Sequence, residues 1–217
     1  MPNAGVGSLD CFEQLYASRT WEYYRPVLAH VVANSSPGPI LDIGAGTGLF
    51  VEAAARWGLD CQGIEGSQDA VEIGRSRYRG LRLDRQYLSE PLPFPDESFQ
   101  TVLLHQVMAH LEPDLARNVL RETLRVLRRG GRIFIFSPAR LDKALARNDP
   151  NTWMRLYAPG EMRALLVAAG FQDVIPLDSP RELLGKNPLA RAAMRMAFRL
   201  TRWDQLSATA NCQATKP

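Results

Sequence analysis

The run Ile40-Leu41-Asp42-Ile43-Gly44-Ala45-Gly46-Thr47-Gly48-Leu49-Phe50 has the residue types to hold a ligand. An apolar stretch ends in glycines at alternate positions, and an apolar-rich helical pattern starts at once, which predicts a buried strand, a tight turn and a helix opening. Gly44 and Gly46 allow positive φ angles and close approach of backbone to ligand. The helix N-terminus behind them presents free N–H groups to negative charge or to acceptor oxygens. Asp42, where the strand enters the turn, is placed either to order the loop or to receive an ammonium group. Glu65 follows Gly44 by about 20 residues, the distance at which a βαβ unit brings a carboxylate to a ribose. Two vicinal hydroxyls can both donate to one carboxylate, and such charge-assisted bonds are the strong ones. His105 and His110 are candidate general bases, because neutral imidazole titrates near working pH. Their competing roles are structural: His105 serving through its backbone alone, and His110 capping or packing.

The glycine spacing narrows the ligand. A dinucleotide fingerprint is G-x-G-x-x-G, whereas here the third glycine comes one residue early, as Gly44-x-Gly46-x-Gly48, and the Gly-Lys-Ser/Thr of a P-loop is absent. A second run, Tyr87-Leu88-Ser89-Glu90-Pro91-Leu92-Pro93-Phe94-Pro95-Asp96-Glu97-Ser98-Phe99-Gln100, sets a rigid proline-rich loop before an apolar strand. A third, Arg125-Val126-Leu127-Arg128-Arg129-Gly130-Gly131, leads into another. Together these runs resemble the class I S-adenosylmethionine (SAM)-dependent methyltransferases, in their small-molecule (type 11-like) branch, over residues 36–175 and more loosely over the last strand.

The resemblance implies SAM as cofactor and a methyl group moved to an oxygen or nitrogen of a small molecule or of a glycan or lipid-linked precursor. It implies cofactor contacts from Asp42, Gly44, Ala45, Gly46, Thr47, Glu65, Gly66, Ser67, Tyr87, Leu88 and His105. In the family an acidic residue stands where this chain has Tyr87, accepting from the adenine amino group. Tyr87 either accepts through its hydroxyl or stacks on the ring; Asp84 and Glu90 are the substitutes if the loop is shifted. An N-terminal helix in the family lies over the cofactor, so Tyr16 and Trp21 either cover the ligand or pack on the sheet. Trp153, Arg155 and Tyr157 lie in a segment similar to one that faces the acceptor, where an aromatic can stack on a ring and an Arg can hold an anion. A catalytically silent SAM-binding protein and a nicotinamide-dependent dehydrogenase are the alternatives.

The elements that must position these residues follow from the whole chain. Its 217 residues, 46% hydrophobic and 23% charged, suit one α/β domain with a small appendage. A net charge of +3 is too modest to argue for nucleic acid, and Arg121, Arg125, Arg128 and Arg129 read as a solvated helix face. Cys11, Cys61 and Cys212 are scattered, without metal-ligand spacing, which suits reduced thiols in the cytoplasm and no metal. There is no signal-peptide pattern and no apolar run of ~18 residues.

Helices are expected over residues 9–33, broken or restarted at Pro26, then 49–57, 69–79, 113–128 and 159–170. Strands are expected at 40–43, 60–64, 81–88, 101–104, 132–137 and 171–175, with a last one at 205–215. The family fold this implies is α/β, a Rossmann-like, seven-stranded, mostly parallel sheet with helices on both faces and an antiparallel last strand between the fifth and sixth. Residues 1–35 would form a helical cap and 36–217 the methyltransferase domain, with a helical insertion at about 180–203. In that insertion Arg191, Arg195, Arg199 and Arg202 share one face and Leu189, Ala193, Met196, Leu200 and Trp203 another. It reads as a surface helix packed beside the sheet, or else as a basic lid whose residues 186–203 meet an anionic acceptor or a membrane surface.

Overall fold

Alternation of short apolar strands with amphipathic helices produces a sheet covered on both faces. In a computed structural model, residues 19–137, 155–177, 196 and 210–217 are described. Tyr16, Trp153, most of the cap and the 180–203 insertion (Met196 apart) lie outside the described residues.

The strands are β1 (Ile40–Ile43), β2 (Cys61–Glu65), β3 (Leu83–Arg85), β4 (Phe99–His105), β5 (Leu127–Phe136), β6 (Gln172–Pro176) and β7 (Cys212–Thr215). The helices are α1 (Arg25–Ala33), α2 (Leu49–Arg56), α3 (Gln68–Arg77), α4 (Pro113–Val126) and α5 (Pro159–Ala168). The sheet order is β3-β2-β1-β4-β5-β7-β6. Neighbours from β3 to β5 are parallel, while β7 runs antiparallel to both β5 and β6. The last strand therefore sits reversed between the fifth and sixth, as expected.

Burial on both faces explains why the central strands are apolar throughout rather than alternating. In β4, Val102 and Leu104 join one core with Val119, Leu120, Met162 and Leu166 of α4 and α5. Leu103, between them, points to the other core with Leu28, Val31, Leu49 and Phe50 of α1 and α2. Asp42 is the charged residue in β1, and it is 3% exposed.

Several boundaries differ from the sequence reading; among the described residues the last strand, expected at 205–215, is only Cys212–Thr215. Helix α1 begins at Arg25, behind a 3₁₀ turn at Trp21–Tyr24, and Pro26 lies in its first turn. There the missing N–H costs nothing, so this proline starts the helix. Strand β3 is only three residues long, not eight. Helix α4 stops at Val126 because the chain turns into β5, where Leu127 pairs with Phe99 ahead of a register shift. Gly130 takes up that shift with φ +70, and Lys216 Nζ donates to the Leu127 carbonyl at 2.7 Å.

The solvated face assigned to Arg125 is also corrected. Its guanidinium donates to the carbonyls of Phe94 (2.8 Å) and Leu92 (3.0 Å) and pairs with Asp96 and Glu122, both at 2.8 Å. Glu122 in turn accepts the Leu92 N–H at 2.9 Å. Helix α4 thereby buckles down the proline-rich loop, whose prolines leave few backbone donors of their own. Arg125→Ala is expected to cost about 2–3 kcal/mol in urea unfolding, the scale of hydrogen bonds to charged groups. A loss below about 0.5 kcal/mol, the range of an ordinary surface substitution, would return Arg125 to the solvated face.

Candidate functional site

The glycine loop leaves the carboxyl end of β1 with Gly44, Gly46 and Gly48 all left-handed, at φ +70, +56 and +74. A Cβ on Gly44 would come within 2.5 Å of Val107, and one on Gly48 within 2.7 Å of Leu81. The left-handed backbone therefore favours glycine at both positions, and a side chain there would also have to displace Val107 or Leu81. The Gly44 and Ala45 N–H groups donate to the Ile64 carbonyl at 2.9 and 3.0 Å, fixing the loop on β2. Thr47 is fully buried, and its hydroxyl has no hydrogen-bond partner among the described residues.

Glu65, at the end of β2, bridges two backbones. One carboxylate oxygen accepts the Gly46 N–H and the other the Ser67 N–H, each at 2.9 Å. A carboxylate has about four lone-pair sites, so each oxygen keeps one for a further donor. Asp42 lies close by; burial first, and the Glu65 charge second, push its carboxyl well above the usual range. Ser67 caps α3 by accepting from the Ala70 N–H at 3.4 Å. Beyond Gly66 lies Tyr87, half-exposed, its hydroxyl accepting from Arg85. Leu88, like Phe94, is partly buried against the core. Asp84 is engaged by Arg75 at 2.6 Å, and Glu90 accepts from Gln86 at 3.5 Å.

His105 ends β4 at the same edge of the sheet, partly buried. Its Nδ1 lies 3.4 Å from the Tyr24 hydroxyl, and the two rings meet edge-on at 5.0 Å. Burial, with the Arg19 charge adding to it, lowers its pKa to about 4. At neutral pH the imidazole is uncharged but a weak proton acceptor, so its fitness as a general base is much reduced. Tyr24 is a partner that sequence reasoning missed: its aromatic neighbourhood was visible, but nothing local links residue 24 to residue 105.

The acceptor-side residues are less convergent. Arg155 donates its N–H to the Ala109 carbonyl at 2.7 Å, which brings its segment beside the 3₁₀ turn Met108–His110. Tyr157 is 1% exposed and packs in the core with Met162 and Leu166, under the Arg155 guanidinium at 5.1 Å. Its expected place facing an acceptor is corrected to a place in the core, where its ring is covered by Met162 and Leu166 of α5. Trp21 is partly buried against the core that includes α2, with the Arg56 guanidinium 5.3 Å from its ring. Among the described residues no group of three or more His, Cys, Asp and Glu side chains could hold a metal ion. None of their helices is long and apolar enough to cross a membrane.

Residues 41–135 match a family model described as a methyltransferase domain. The chain is 35% identical over 137 residues to a probable S-adenosylmethionine-dependent methyltransferase of Mycobacterium tuberculosis, covering 62% of this chain and 49% of that protein. It is 24% identical over 201 residues to a ubiquinone biosynthesis O-methyltransferase of Klebsiella pneumoniae, covering 85% of this chain and 78% of the relative. The crystal structure of a SAM-dependent methyltransferase from Archaeoglobus fulgidus shares the fold. Its TM-score is 0.70 at 18% identity, over 97% of this chain and 100% of that one. Over residues 41–135 the chain is similar in sequence to the methyltransferase-domain family, and its fold is that of SAM-dependent methyltransferases. It spans about half the length of the Mycobacterium relative.

The described residues fit the family's cofactor, SAM. Glu65 keeps two lone pairs at the distance from the glycine loop that a ribose diol requires. Asp42 is a buried carboxyl on which another carboxylate, not a cation, acts. An ammonium group would relieve that strain.

Two outcomes are expected for this site. Glu65→Ala should weaken S-adenosylhomocysteine binding by about 1–3 kcal/mol in calorimetry, and unchanged affinity would mean that the ribose is held elsewhere. For His105, the lowered folded pKa means that the unfolded chain takes up the proton first as pH falls. Its stabilising contribution is complete above pH 6.5 and is lost progressively down to about pH 4. Over that window the wild type should lose about 3 kcal/mol more stability than His105→Phe in pH-dependent urea melts.

Proposed function

We propose that this chain transfers the methyl group of SAM to an oxygen or nitrogen of a small molecule, or of a glycan or lipid-linked precursor. The observation that carries the proposal is the Glu65 carboxylate, which joins the glycine loop to the β2 turn and keeps lone pairs for a diol. Likeness to a ubiquinone biosynthesis O-methyltransferase along most of the chain supports an oxygen on a small acceptor.

The bound cofactor supplies a methyl group already activated on a sulfonium. What remains for the protein is alignment and exclusion of water. In this proposal Asp42 receives the ammonium of the amino-acid end, and the backbone from Gly44 to Thr47 cradles that end. Glu65, with the turn at Gly66 and Ser67, takes the ribose. Tyr87 and the backbone of Leu88 border the purine, and His105 borders the methionine end. Because His105 is neutral and weakly basic, a hydroxyl acceptor would give its proton to His110 or be acidic in its own right. Arg155 stands at the acceptor side, together with Tyr16 and Trp153 beyond the described residues. In this proposal residues 1–35 are the cap, 36–217 are the methyltransferase domain with an insertion at about 180–203, and the protein works in the cytoplasm.

A second proposal, a silent SAM-binding protein, draws on Tyr87 at the position of an acidic adenine reader. Calorimetry with S-adenosylhomocysteine and with NAD, followed by a labelled-methyl assay across extract fractions, separates the outcomes. S-adenosylhomocysteine is expected to bind and NAD not to, with label entering one fraction. Binding without label in any fraction would favour the silent protein, and NAD binding alone would sink both.

A further inference from the structure

We infer that this chain holds the purine of its cofactor by its face, on a platform built by Tyr87 and Arg85, and does not read the 6-amino group. The inference rests on the proposal that the nucleoside of SAM sits on Glu65.

Strands β2 and β3 are parallel neighbours, and the Gln86 N–H donates to the Glu65 carbonyl at 2.9 Å, so their carboxyl ends are tied together. A base extending from a ribose on Glu65 then meets the residues just past each strand end, Gly66 and Tyr87. A Cβ on Gly66 would lie 3.7 Å from Tyr87 Cδ1, so the ring borders the Gly66 backbone. Tyr87 is 46% exposed, which gives this spot a large accessible aromatic surface. The Arg85 guanidinium carbon lies 4.8 Å from the ring centroid, and the same side chain donates to the Tyr87 hydroxyl oxygen. Arg85 therefore grips the ring at its face and at its tip, setting its orientation.

The chemistry of this pair is wrong for reading an amine. Guanidinium is donor only, and a phenol oxygen that already accepts from Arg85 still carries its own proton to donate. The platform thus presents a π-face and donors, where a reader of the 6-amino group needs a strong acceptor. The neighbouring carboxylates are otherwise engaged. Asp84 pairs with Arg75 at 2.6 Å, Glu90 accepts from Gln86, and the lone pairs that Glu65 keeps are taken by the ribose diol in the proposed placement. Stacking on an aromatic ring tolerates any base, because every base has a π-face. A site built to bond an amino group rejects the analogue lacking it by a large factor, and a stacking site does not.

The test compares S-adenosylhomocysteine with S-inosyl-L-homocysteine, whose purine carries an oxygen in place of the 6-amino group, by calorimetry on the full chain. The two are expected to bind within about tenfold of each other, since neither loses a bond to an acceptor. S-inosyl-L-homocysteine binding more than about 100-fold weaker would overturn the inference and reveal an acceptor at position 6. Failure of S-adenosylhomocysteine itself to bind would instead overturn the cofactor assignment on which the inference rests. Tyr87→Asp supplies the missing acceptor and should create a preference for S-adenosylhomocysteine of at least about tenfold. Arg85→Leu should weaken both ligands by the same factor, about three- to tenfold, as the ring loses its grip. Unchanged affinity in Arg85→Leu, or no new preference in Tyr87→Asp, would remove the platform. Both side chains lie at the surface, and thermal melts of the variants establish that each is folded.

Discussion

The Glu65 carboxylate, shared between the Gly46 and Ser67 N–H groups, holds the site together. Two strands end side by side, each in a turn whose amides would otherwise compete for water. A single carboxylate satisfies one amide from each turn and so fixes the distance between the glycine loop and the start of α3. A carboxylate has more lone pairs than two backbone bonds use. The group that organises the loop can therefore also receive a diol without first being released.

The two acids at this edge show how similar side chains acquire different tasks. Glu65 sits among N–H donors and accepts from one in each turn. Asp42 is enclosed by β1, with Glu65 adding repulsion, and its carboxyl is pushed up. One is a ready acceptor, while the other gains most from a cation. His105 extends the contrast: enclosure between Tyr24 and Phe136, with Arg19 nearby, keeps it neutral at the end of β4. Such an imidazole suits a wall beside a sulfonium better than a strong base, because a charged ring there would repel the cofactor.

Arg125 and Glu122 secure the loop from Leu92 to Asp96 from behind. Much of that loop cannot donate from its own backbone, so its shape is imposed by a helix that precedes β5. Lys216, near the last described residue, bonds the carbonyls where α4 passes into β5. Packing well away from the glycine loop thus sets the shape of the proline-rich loop.

The sequence by itself determined the order of strands and helices, the glycine loop, the register of Glu65 and the family, because each depends on residue type at short range or at fixed spacing. The reversed last strand came with the family resemblance, and the pairing of β7 with β5 and β6 agrees. Local chemistry did not reveal the roles of Arg125, Tyr24 and Arg85. On one helix face Arg125 looks like its solvated neighbours, and only the approach of the proline-rich loop gives it partners. Tyr157 looked like an acceptor-facing aromatic until its segment was seen to turn it into the core. Tyr87 looked like a plain departure from an acidic position, and the fold brings Arg85 across its ring. In each case the deciding contact joins surfaces or rotamers that periodicity does not encode, so it exists only once the sheet has closed.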